Sequence, residues 1–301
     1  MKKTLAMMTV AMMAAGALVG CGSSSSTPAA TTAAATEAAT TAAATAAATD
    51  AATTEAAGDT AAAAEGSVKT PSGKFTVGFD QEFPPMGFVG DDGEFTGFDL
   101  DLAKEVASRL GLEFVPQPIN WDAKDMELES GNIDCIWNGF TMQGREDAYT
   151  WVGPYMANNQ VFVVNADSDI ASKADLAGKA VEVQKDSSGL AALQDDAELS
   201  ASFGSMTEVA DYNTALMDLE SGACDAVCMD SIVAGYQIKS SGKDMKILDD
   251  TLSAEEYGIG FKKGEDELAK AVHDTLMEMK DDGTVAKISN DWFGSDVFTL
   301  K

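Results

Sequence analysis

Met126-Glu127-Leu128-Glu129-Ser130-Gly131-Asn132-Ile133-Asp134-Cys135 recurs further along the chain as Met217-Asp218-Leu219-Glu220-Ser221-Gly222-Ala223-Cys224-Asp225-Ala226. Each copy reads as the end of a helix, a glycine stop that tolerates positive φ, and the start of an apolar strand. The strands are Cys135-Ile136-Trp137 in the first copy and Ala226-Val227-Cys228 in the second. A weaker pair precedes them in the same order, Gly73-Lys74-Phe75-Thr76-Val77 and Gly178-Lys179-Ala180-Val181-Glu182. Repetition of one strand and helix grammar predicts two similarly built α/β lobes. Ligands of open α/β sheets bind beyond the carboxyl ends of the strands. Those ends carry Phe79-Asp80, Asn138-Gly139-Phe140-Thr141, Lys185-Asp186-Ser187-Ser188 and Met229-Asp230, which line a shared cleft if the lobes face one another.

The surrounding segments fit this class. Phe75 to Phe79 reads as a strand, and Met86–Val89 and Glu94–Gly97 flank Asp91-Asp92-Gly93, a hairpin signal. Asp99 is placed to cap a helix with Leu102, Ala103, Val106, Ala107 and Leu110 on one face and Gly111 as its stop. Glu113 to Val115 is a further strand.

At the other end of the sequence, Lys2 and Lys3 precede an apolar run from Leu5 to Val19, too short to span a bilayer, which reads as a secretory signal over residues 1–20. The run ends in Leu18-Val19-Gly20-Cys21, which resembles a bacterial lipobox and implies lipidation of Cys21; the alternative is an ordinary signal peptide that contains a cysteine. From Gly22 to about Val68 the sequence is Ser, Ala and Thr with scattered acids, a composition that cannot offset its chain entropy by burial, so residues 21–70 read as a disordered tether. The remainder from Pro71, roughly 230 residues, fits one large domain or two lobes.

The formal net charge of −29 argues against nucleic acid and against adhesion to anionic lipid, both of which need basic surface. Cys135, Cys224 and Cys228 make an odd number for an exported chain, and Cys224 and Cys228 are too far apart along a strand to bridge, so all three read as small buried apolar residues. No later stretch is long and apolar enough for a membrane helix, which argues against a sensory ectodomain.

Six motifs in order now carry a resemblance: Gly97-Phe98-Asp99-Leu100-Asp101-Leu102-Ala103; Gly139-Phe140-Thr141 with Arg145; Pro154-Tyr155; Asp225-Ala226-Val227 with Asp230; Tyr257-Gly258-Ile259-Gly260; and Trp292-Phe293-Gly294. From Lys74 to Gly294 the chain resembles the bacterial extracellular solute-binding proteins of family 3, the amino-acid-binding lipoproteins of ABC importers. The resemblance implies a two-lobe type II periplasmic-binding-protein fold with a hinge and an interlobe ligand cleft. It places the large lobe at 71–160 plus 256–301, the small lobe at 161–255, and hinge motion near Met156–Gln160 and Ala254–Tyr257. It also implies a monomer, lipid-anchored outside the cytoplasm through Cys21, that hands an L-amino acid to an ABC permease and its ATPase, with no cofactor; the two acids Asp80 and Glu82 lean that ligand toward a polar or cationic side chain.

The resemblance assigns ligand-binding roles. Arg145 binds the α-carboxylate, as a guanidinium fork suits a carboxylate; the alternative is a surface pair with Glu146 or Asp147. Gln143 stands where this loop often has a second threonine, while Thr141 keeps its place beside Gly139. Ser188, at the start of the helix through Leu190 and Leu193, offers a second grip on the carboxylate, with a plain capping role for Ser187 or Ser188 left open. Asp186 stands where relatives often have glycine. Asp230 accepts the α-ammonium, or alternatively caps the helix from Ile232. Asp80, Phe83 and Trp121 match positions that contact the ligand side chain, the two aromatics being alternatively ordinary core.

Enzyme chemistry finds little support. His273 is the only histidine and falls off the apolar stripe Leu268, Val272, Leu276 and Met279, and no metal cluster or phosphate loop is present in the sequence. The competing reading is a cyclohexadienyl- or arogenate-type dehydratase on the same fold, with Asp80 or Glu82 as the general acid.

Overall fold

The computed structural model describes Thr70 and residues 72–301; the signal segment, Cys21 and the tether expected before Thr70 lie outside the described residues. β1 (Lys74–Phe79) is followed by three short strands, β2 (Glu82–Phe83), β3 (Gly87–Val89) and β4 (Phe95–Thr96), which form an antiparallel sheet of their own. Next come α1 (Phe98–Leu110), β5 (Glu113–Pro118), α2 (Lys124–Ser130), β6 (Cys135–Thr141) and the long β7 (Thr150–Asn165). The chain continues through β8 (Ala180–Gln184), α3 (Ser188–Asp195), α4 (Ala197–Ser202), β9 (Ser205–Val209), α5 (Tyr212–Ser221), β10 (Ala226–Asp230) and α6 (Ser231–Ser241). The long β11 (Met245–Phe261), α7 (Asp266–Asp281) and α8 (Thr284–Phe293) follow.

The main sheet runs β5-β1-β6-β11-β7-β10-β8-β9. This order is symmetric about the central β11–β7 pair, with the parallel trio β5-β1-β6 on one side and its counterpart β9-β8-β10 on the other. It is the two-lobe architecture that the internal repeat predicts. β7 and β11 run antiparallel along one another; β11 pairs with β6 through Tyr257 to Phe261, and β7 with β10 through Gln160 to Val163.

The repeat survives as geometry. Gly131 and Gly222 end α2 and α5 with the same left-handed backbone, φ 77° and ψ 19°. Three residues later an aspartate in each copy reaches the neighbouring strand: Asp134 accepts from the Thr76 N–H at 2.6 Å, and Asp225 from the Ala180 N–H at 2.8 Å. These partners are the fourth and third residues of the two Gly-Lys stretches, so the weaker sequence pairing slips by one position in space. β6 and β10 are buried at every position, as strands covered on both faces must be. Side chains alternate accordingly. Val161 and Val163 of β7 join the apolar cluster that contains Phe75, Trp137 and Val233, whereas Phe162 and Val164 pack on the opposite face with Val183 and Cys228. Cys135, Cys224 and Cys228 are free and buried.

One expectation is corrected. Asp99 does not cap α1: Gly97 holds the cap position at φ 143°, where a Cβ would approach the Met86 carbonyl oxygen to 2.3 Å. Asp99 lies inside the first turn, fully buried, and its carboxylate turns inward instead.

Candidate functional site

What Asp99 does is hold the loop that begins the site. Its Oδ2 accepts from the Gly139 N–H at 2.7 Å and from the Tyr155 hydroxyl at 2.8 Å. Burial nonetheless pushes its carboxyl up to about 7, against the pull of those two bonds. Gly139 needs its lack of a side chain: φ is 58°, and a Cβ would meet Phe83 at 2.9 Å and Tyr257 at 3.1 Å.

Beyond Gly139, the Thr141 hydroxyl donates to Glu255 Oε1 at 2.9 Å and lies 3.2 Å from the Ser188 hydroxyl. Gln143 ties the loop to β11, its side-chain oxygen accepting from the Glu256 N–H at 2.8 Å. The Arg145 guanidinium lies over the Phe140 ring, 5.0 Å from its centre, and donates to the carbonyls of Thr141 and Asp186, each at 3.2 Å, rather than to Glu146 or Asp147.

On the facing side, the capping role left open above falls to Ser187. Ser187 caps α3, accepting from the Leu190 N–H at 3.1 Å, and Ser188 turns toward Thr141 and Gln160. Asp186 is the only non-glycine among the described residues with positive φ, 55°. Its carboxylate pairs with the ammonium of Lys124, a side chain only 2% exposed. Burial lowers the Lys124 pKa, and Asp186 opposes that shift.

Asp230 occupies the cap position of α6, yet its side chain makes no capping bond. It is 3% exposed; Oδ1 accepts from Asn158 at 2.6 Å and from the Tyr257 hydroxyl at 2.7 Å, and Oδ2 from the Tyr212 hydroxyl at 3.0 Å. Burial first, and then the charge of Glu255, push its carboxyl up to about 7.

Phe83, Trp121, Gly139, Thr141, Arg145, Ser188 and Asp230 line one small cavity together with Gln184 and Ser187. Phe83 packs against Tyr212, and Trp121 meets Phe140 edge-on. Asp80 does not reach this cavity. It accepts from Gln184 at 2.7 Å and from the Glu82 N–H at 2.9 Å, burial raises it to about 6, and it lines the adjoining chamber of about 840 Å³ with Glu82, Trp121, Asp122 and Asp211. The inner cavity measures about 10 Å³. Ligand clefts typically span about 300–1,000 Å³, so these walls must part to admit an amino acid.

Besides the Arg145–Asp186 and Thr141–Ser188 contacts, further polar bridges join opposite walls: Lys124 to Asp186, Lys185 to Asp122 at 2.8 Å, Gln184 to Asp80, and Asn213 to Glu82. Sequence reading missed Lys124, Asn158, Gln160, Gln184 and Glu255. Gln184 had the signal of a strand end next to Lys185. Glu255 had none, because Ala254-Glu255-Glu256 reads as a solvated acidic run.

The geometry can be set beside known proteins. The sequence profile of the bacterial extracellular solute-binding proteins, family 3, matches residues 75–295. The L-cystine-binding protein TcyJ of Escherichia coli is 31% identical over 231 residues, which cover 75% of this chain and 84% of that protein. The L-cystine-binding protein TcyA of Bacillus subtilis is 32% identical over 229 residues, covering 75% and 83%. Among solved structures, the substrate-binding protein of an ABC uptake transporter from Streptococcus pneumoniae with bound histidine is similar at 34% identity and a TM-score of 0.73, covering 76% of this chain and 95% of that one.

Proposed function

The chain belongs to the bacterial extracellular solute-binding proteins, family 3, and on that footing we propose that it captures a polar or cationic L-amino acid between its lobes and delivers it to an ABC permease and its ATPase. The observation that carries the proposal is the meeting of Arg145 and Asp230, a cation and a carboxylate from opposite sides of the β7–β11 pair, on one cavity. Arg145 takes the α-carboxylate, with the Thr141 and Ser188 hydroxyls beside it, and Asp230 takes the α-ammonium. Phe83 and Trp121 flank the side chain over Gly139. Asp80, relayed by Gln184, sets a polar end to the pocket, which supports a polar or cationic ligand.

The large lobe is assigned to 71–160 plus 256–301 and the small lobe to 161–255, with hinges at Met156–Gln160 and Ala254–Tyr257. Register breaks in β11 between Thr251 and Ser253 and between Tyr257 and Ile259 flank the second of these segments, whose own pairing with Met156–Asn159 is regular. Lipidation at Cys21, supported by Leu18-Val19-Gly20-Cys21, would hold the monomer outside the cytoplasm on the membrane.

Calorimetric titration with a panel of L-amino acids, including cystine, arginine and histidine, and with their deaminated analogues tests this reading. Wild type is expected to bind at least one amino acid, and its deaminated analogue measurably but more weakly. Asp230→Asn is expected to lose about 1.5–3 kcal/mol for the amino acid alone, the worth of a charged hydrogen bond. Equal loss for both ligand sets overturns the assignment, and turnover of a cyclic prearomatic acid would establish the dehydratase instead.

A further inference from the structure

Glu255 lies in β11, 5% exposed. Its Oε1 collects donors from three other elements: Thr141 of β6 at 2.9 Å, Asn158 and Gln160 of β7 at 2.6 and 2.9 Å, and Ser188 of α3 at 3.4 Å. The Asn158 amide nitrogen that donates to Glu255 also donates to Asp230 Oδ1 at 2.6 Å. Its orientation is set from the other end, where Asn158 Oδ1 accepts from the Ser231 hydroxyl at 3.1 Å and the Ile232 N–H at 3.3 Å. Two buried carboxylates thus share one donor.

Resting on the amino-acid reading above, we propose that Glu255 is a positioning residue for the ligand's ammonium: it orients Asp230 through Asn158 and makes capture depend on pH. The groups facing Asp230 bear this out. Tyr212 from α5 and Tyr257 from β11 are hydroxyls held neutral by burial, as is the Cys228 thiol on β10 itself. Asn158 and Gln160 from β7 are uncharged, and Arg145 from the loop after β6 lines the same cavity. Glu255 is the like charge next to Asp230, and it favours the protonated form. An ammonium needs Asp230 ionised, so a proton competes with the ligand as pH falls, by up to about tenfold per pH unit below the midpoint.

The test is calorimetry on the full chain from pH 5 to 8.5, with the tightest binder of the panel other than histidine, whose imidazole titrates in the same range. Wild-type affinity is expected to fall on the acid side. Glu255→Gln removes the like charge and moves the midpoint downward, so that its loss between pH 8 and 5.5 is at least threefold smaller than wild type's. Glu255→Asp keeps the charge and the wild-type midpoint. Superimposable profiles, or a midpoint that moves equally in both variants, overturn the proposal. An arm on wild type alone is independent of how the variants fold: near pH 6.5, binding is expected to release a proton, read from buffers of unequal ionisation enthalpy, and no release overturns it. Wild type that binds no amino acid at any pH overturns the amino-acid reading itself.

Discussion

Arg145 and Asp99 show how differently two charged side chains serve one loop. Arg145 is half-buried and spends its donors on the carbonyls of Thr141 and Asp186, partners that a ligand carboxylate would replace with a stronger, charged bond. Arg145→Ala is therefore expected to cost about 1.5–3 kcal/mol of binding, roughly ten- to hundredfold in Kd by calorimetry. Binding within threefold of wild type would remove Arg145 from the site. Asp99 acts on stability instead. Its folded carboxyl lies near 7, above the ordinary 3.8, so its contribution is fully present below about pH 4 and is lost as pH rises through 7. Asp99→Asn can still accept from Gly139 and Tyr155 but cannot ionise. The variant's melting temperature is expected to fall less than wild type's between pH 5 and 8, at about 2–4 °C per kcal/mol for a domain of this size. Parallel pH curves in scanning calorimetry would refute the assignment.

Among elements, the start of α2 and the turn between β8 and α3 form the most heavily invested bridge across the cleft. Asp186 accepts a left-handed backbone that glycine would adopt freely, a strain of order 1–3 kcal/mol that persists only where surroundings impose it. What it holds is the buried Lys124 ammonium, which also lies 5.1 Å from the centre of the Trp121 ring. The Asp186 side chain is 52% exposed, so replacing Lys124 leaves it solvated rather than orphaned. Lys124→Met is thus expected to keep the melting temperature within a few degrees while weakening ligand affinity several-fold, because the bridge exists only when the walls meet. A large drop in melting temperature with affinity unchanged would make the pair a folding element and not a latch.

For the whole molecule, the symmetric order of strands about β11 and β7 means that, among the described residues, the two halves of the main sheet pair through these two crossover strands. Every residue that lines the inner cavity lies between Phe83 and Asp230. Deleting residues Thr27 to Ala64 removes none of them, so calorimetry and thermal melting are expected to match the full chain. A melting-temperature drop of more than a few degrees would show that this segment contributes to the folded part.

The repeat of Met126 and Met217, the glycine stops and the apolar strands that follow were legible because each is a local rule: a left-handed stop after a helix and a run of buried residues have the same signature wherever they occur. Strand ends are local too, which is why Gly139, Thr141, Arg145, Ser188 and Asp230 could be named from spacing and resemblance and are found on one cavity. The inward turn of Asp99, the separation of Asp80 from that cavity, the Lys124–Asp186 bridge and the burial of Glu255 were decided only in three dimensions. In each case the partner comes from a distant strand, and the energy of a carboxylate depends on how completely the rest of the chain excludes water from it, which no neighbouring residue in the sequence encodes.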